Sequence, residues 1–103
     1  MTLGRLAANS IPAGANTLIY TTPSRSSGIE ATVNICNRNT VDATIRLAIV
    51  PEYVDSLDMA DYIEYDVVVR PGGVIERKGI QLIIGQSIVG YSDVSNVTFQ
   101  MWG

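Results

Sequence analysis

The chain has 103 residues, which fits one domain, and its 47% apolar content is enough for one core. Seven basic residues against ten acidic ones give a net charge of −3, with no basic tract to neutralise a phosphate backbone, so nucleic-acid binding is not expected. Histidine is absent and Cys36 is the one cysteine, which removes Ser-His-Asp catalysis, the usual zinc ligand sets and any intramolecular disulfide.

In chain order, residues 1–16 come first, with Ala7, Ala8, Ala13, Ala15, Pro12 and Gly14. They are apolar but not periodic, and two outcomes stay open: an edge strand, or an arm laid on a neighbouring subunit and removable without unfolding the rest. Met1 to Ala8 has no long apolar stretch of the kind a secretory signal needs. No apolar run reaches the roughly 18–20 residues that span a bilayer, so membrane attachment is not expected and assembly in a cytoplasm is.

A single domain is expected over residues 17–103. Thr17–Thr21 is a β-branched and aromatic strand, stopped by Pro23. In 29–36, Ile29, Ala31, Val33 and Ile35 alternate with Glu30, Thr32 and Asn34, the period-2 pattern of a strand with one buried face. Asn37 to Thr40 supplies turn residues. Then 43–50 sets Ile45, Leu47 and Ile49 against Thr44 and Arg46. The short polar turn between these strands predicts a β-hairpin. Pro51 ends the second strand, and 52–61 reads as a loop with a helical turn that Asp55 could cap.

The pattern resumes at 62–70, with Ile63, Tyr65, Val67 and Val69 on one face and Glu64 and Asp66 on the other. Pro71-Gly72-Gly73 is a turn. Residues 74–78 and 80–84 read as strand segments with Ile75 inward, interrupted at Gly79 by a bulge or corner. A strand over 87–91 follows. A last strand, 97–102, sets Val97, Phe99 and Met101 opposite Thr98, Gln100 and Trp102. Seven or eight short strands at this spacing predict an antiparallel β-sandwich, jelly-roll-like or immunoglobulin-like.

No constellation rises to a catalytic or cofactor site. The acidic residues Asp55, Asp58, Asp61, Glu64 and Asp66 lack the ligand spacing and central glycine of a calcium loop and read as solvated surface. Gly72-Gly73 has neither the helix nor the lysine of a phosphate loop. Cys36 reads as a small buried apolar residue. No enzyme activity, metal or cofactor is expected. Charged residues make up 17% of the chain, below the usual roughly 25%, Val50 and Val68 fall where a wet face is expected, and Ile83 breaks the alternation beside Leu82 and Ile84. Excess apolar surface of this kind points to a subunit interface. The residues expected to make contacts are Leu3, Arg5, Leu6 and Pro12 near the N-terminus, Tyr53, Leu57, Met59 and Tyr62 in the acidic connection, and Trp102.

The runs Leu18 to Pro23, Val33 to Arg38, Ala43 to Ile49 and Asp61 to Asp66, then Gly79 to Leu82, the Gly85 turn and Phe99 to Gly103, follow one another in a recognisable order. Over 17–103 the chain resembles small virion structural proteins of tailed bacteriophages, notably phages of cyanobacteria. Asn37-Arg38 after an apolar strand and Tyr62-Ile63-x-Tyr65-Asp66 are the distinctive motifs. The resemblance implies a β-sandwich subunit of the particle. One placement is a capsid decoration (cement) protein, often a homotrimer, that contacts the major capsid protein and bridges capsomers. The other is a tail, baseplate or fibre-associated module, including one that binds host glycans.

Overall fold

The computed structural model describes residues 5–23, 28–51 and 57–103. The alternating runs form eight strands: β1 Arg5–Ile11, β2 Thr17–Thr21, β3 Ile29–Asn37, β4 Ala43–Val50, β5 Tyr62–Val69, β6 Val74–Leu82, β7 Ser87–Ser92 and β8 Val97–Trp102. One 3₁₀ turn, Met59–Asp61, precedes β5. The predicted cap Asp55 lies outside the described residues. At this turn the Asp61 carboxylate instead accepts the Asp58 amide at 2.8 Å.

Two antiparallel four-stranded sheets form, in the orders β1-β8-β3-β6 and β2-β7-β4-β5. Each strand of the first half pairs with its mirror in the second: β1 with β8, β2 with β7, β3 with β6, β4 with β5. The ladders β3–β8 and β4–β7 join these pairs into sheets. The whole chain is thus one long hairpin rolled into a sandwich, the jelly-roll arrangement and not the seven-stranded immunoglobulin one.

The inward residues of the alternating runs make the core. Val33, Ile35, Ile45, Leu47, Ile88, Val97, Phe99 and Met101 are fully buried. The Phe99 ring lies directly on Gly90 of β7: a Cβ there would sit 2.8 Å from its edge. β7 is buried almost throughout because Ile88 faces the core while Val89 is covered on the other face by Leu57 and Tyr62.

Several expectations change. β3 and β4 are not a hairpin. β3 belongs to the first sheet and β4 to the second, so their connection arches over the edge of the sandwich. Asn37 holds this arch. It is fully buried, and its Nδ2 donates to the carbonyls of Val41 (2.8 Å) and Val69 (2.9 Å). Its Oδ1 accepts from the Asn39 amide and side chain. Its main chain bonds Gly72 and Gly73 in the β5–β6 turn. One side chain thereby fastens two connections that are far apart in sequence.

Val50 is not spare surface. It is buried with Ala48 and Val89 on the outer face of the second sheet, where Leu57 and Tyr62 pack over them. Val68 and Ile83 are exposed. Tyr65 leaves the core face assigned to it. The β4–β5 register shifts around Arg46, Asp66 adopts φ +53°, and the bulge turns Tyr65 outward. β6 is one strand with its bulge at Gly79, φ +72°, opposite a register shift in β3. Cys36 is half-buried on the outer face of the first sheet, because the alternation that buries Ile35 turns its neighbour out.

Of the two outcomes open for the N-terminal segment, the edge strand is the one formed. β1 pairs with β8 from Arg5 to Ile11, and Leu6, Ala7 and Ile11 join the core. It is therefore not an arm that can be removed without consequence for the sandwich.

Candidate functional site

Two outer sheet faces hold the organised surface chemistry. On the first sheet, Thr32, Asn34 and Cys36 of β3 lie beside Thr98, Gln100 and Trp102 of β8, all half-buried. Ala8 and Ser10 continue this face on β1. Arg38 spans it: Nε donates to Thr98 Oγ1 at 2.9 Å and Nη2 to Ser10 Oγ at 2.8 Å. With its side chain held by two hydroxyls, Arg38 lies across the strands, from β3 over β8 to β1. Asn34, Cys36, Arg38, Val74, Thr98 and Gln100 line a shallow groove there. The patch is polar but almost free of charge.

The outer face of the second sheet carries a different arrangement. Arg46 of β4 lies between two tyrosine rings, its guanidinium carbon 4.3 Å from the Tyr65 centroid and 4.7 Å from that of Tyr91. Nε bonds Asp66 Oδ1 at 2.6 Å. Tyr62 meets Tyr65 edge to face at 5.0 Å. The β5 bulge creates the cluster by putting Tyr65 and Asp66 together beside Arg46. The hydrogen bond to Asp66 raises the Arg46 pKa above its ordinary value, so the group stays cationic. The ion pair is partly exposed, at 27% for Arg46 and 45% for Asp66, and its contribution to stability is correspondingly small. Replacing Arg46 with Met should therefore shift the urea unfolding midpoint only slightly. A large shift would mean the cluster is structural after all.

The expected contact residues are scattered. Leu3 and Tyr53 lie outside the described residues. The main chain of Arg5 pairs with Trp102 at the end of the β1–β8 ladder. Leu6 is half-buried, packed against the core. Pro12 is exposed just after β1. Leu57 and Tyr62 come together, but as a cover over Ala48, Val50 and Val89. Met59 is 65% exposed beside them. Trp102 is half-buried on the uncharged face.

Sequence reasoning missed Arg46, Tyr91 and Arg38 as partners in organised surface. The signal was present in part: an arginine on the polar face of a strand next to tyrosines on strands that could pair with it. Both distinctive motifs prove architectural. Asn37-Arg38 sends one side chain into the arch and the other across the first sheet, and Tyr62, Tyr65 and Asp66 build the cluster around Arg46.

Among the described residues, no group of three or more His, Cys, Asp or Glu side chains is placed to hold a metal ion, and no helix is long and apolar enough to cross a membrane. Comparison of the chain with known protein families, with curated proteins and with solved structures gives no match.

Proposed function

We propose that the chain is a structural subunit of a bacteriophage particle, of the capsid-decoration type, which contacts the major capsid protein and copies of itself and catalyses no reaction. The observation that supports this best is the outer face of the first sheet. It is half-buried over β8 and β3, continues through the exposed Ala8 and Ser10 on β1, and between Glu30 and Arg38 its strands present no charged side chain, the character of a surface that meets a partner. Jelly rolls recur in viral capsid domains, which agrees with the residue-level resemblance, although a fold alone carries no function. The working principle is burial of this face against neighbouring capsomers, tying them together.

The test is binding to purified phage heads stripped of their decoration. The chain is expected to sediment with the heads and to raise the temperature at which they release DNA. Binding to isolated tails but not to heads would move it to the tail. Binding to neither would end the virion proposal.

A second reading has one observation in its favour: a host-glycan-binding module at a tail or baseplate. Tyr62, Tyr65 and Tyr91 with Arg46 and Asp66 offer aromatic faces beside polar groups, and jelly rolls also serve as lectin domains. Glycan-array signals that vanish in Tyr65→Ala would establish this reading. A blank array with the wild-type chain would remove it.

A further inference from the structure

We infer that two copies of this chain pair through β1, antiparallel across a twofold axis, so that the first sheet runs from four strands to eight. The inference takes from the proposed function only that the partner is a second copy, and it stands without the virion placement.

A sandwich of this kind has four sheet edges, here β1, β6, β2 and β5. An open edge presents N–H and C=O groups that water solvates but that also template pairing with another strand, and β-proteins normally guard such edges. Three of the four are guarded. β6 carries Glu76, Arg77 and Lys78 in a row and is broken by the Gly79 bulge. β5 carries Glu64 and Asp66, with two register shifts against β4. β2 is only five residues long and has a register shift of its own.

β1 is protected only at its start, by Arg5 and a register shift between Arg5 and Ala7. From Leu6 to Ile11 it carries no charge and no proline, and from Ala7 to Ile11 its register with β8 is unbroken. Among the described residues β8 is its one ladder partner.

The guards also choose between kinds of assembly. Pairing β1 with β6 of the next copy would build an open filament, but the charged and bulged β6 opposes it. Pairing β1 with β1 closes on itself and needs no other edge. The small residues Ala7 and Ala8 put no bulk in the way. The outer faces of the two copies, each crossed by Arg38, would then join into one continuous surface. The symmetry is twofold, in place of the threefold that the resemblance implies.

The test uses Ala8, which is exposed on the outer face. In an antiparallel pair centred near Ala8 and Asn9, the two copies of Ala8 come within about 8 Å of each other. Two seven-residue strands bury less than a standard interface, so a dimer of roughly micromolar affinity is expected. Sedimentation equilibrium up to about 100 μM should give a mass twice the 11.1 kDa of the chain.

Ala8→Lys and Ala8→Glu should each weaken the dimer roughly tenfold or more, by like-charge repulsion across the axis. An equimolar mixture of the two should recover dimers, with circular dichroism confirming that both variants are folded. A wild-type chain that stays monomeric, or variants that dimerise as well as wild type, would overturn the pairing. A monomer that still binds phage heads would overturn this inference and leave the virion proposal standing. A β1-paired dimer that binds no particle would do the reverse.

Discussion

Replacing Asn37 with alanine should lower the stability of the sandwich by about 3 kcal/mol, a drop in Tm of roughly 15 °C for a domain of this size. The reason is what the side chain leaves behind. Val41 and Val69 lose a donor to their carbonyls, and the Asn39 amide loses its acceptor. Asn37 itself is fully buried, so water does not readily replace it. Asn37→Asp separates shape from chemistry. It keeps the volume and the acceptor but turns the two donated bonds into a carboxylate facing two carbonyls. That carboxylate would ionise with difficulty in the folded state and normally in the unfolded one. Its folded pKa is therefore raised, so the variant's stability falls as pH rises. Urea unfolding at pH 4 and pH 8 should show the smaller deficit, relative to wild type, at pH 4. Equal deficits at both pH values, or an alanine variant as stable as wild type, would show that the arch does not depend on this residue.

Gly90→Val should be comparably damaging, by about 3 kcal/mol, through overpacking. Three atoms of the Phe99 ring lie within 2.8–3.1 Å of where the new Cβ would stand, and the ring is fully buried. The clash predicts its own partial relief. Phe99→Leu alone leaves a gap and should lower stability, yet in the Gly90→Val background it should remove much of the overlap. The double variant should be more stable than the sum of the single losses by at least about 1 kcal/mol. Strict additivity in urea unfolding would mean that the two positions do not touch.

Much of the architecture was legible because period-2 patterning reports one buried face. Ile45 and Leu47 in β4 and Val97, Phe99 and Met101 in β8 point inward as the alternation requires. Connectivity was less legible. A short polar turn between two amphipathic strands looks the same for a hairpin and for an arch between sheets. What distinguishes them here is Asn37 reaching Val69 and Gly73, more than thirty residues away. Val50 was misassigned for a related reason: its cover, Leu57 and Tyr62, arrives from the next connection. β1 showed no clear period because alanine, asparagine and serine carry little hydrophobic contrast. The Arg46 cluster depends on a bulge at Asp66, and an aspartate at positive φ leaves no mark in a sequence as a glycine would.

β8 lies between β1 and β3 in the first sheet. A ribosome makes β1 first of the eight strands and β8 last. At about 5–20 residues per second, the N-terminal strand waits on the order of ten seconds for its partner. Throughout that interval it has no ladder, and from Leu6 to Ile11 no charge, to keep it from other chains. Nascent copies on one messenger RNA are thus exposed to premature strand exchange, and a mutation that slows only the emergence of β8 would reduce the yield of folded protein while leaving the stability of every finished molecule unchanged.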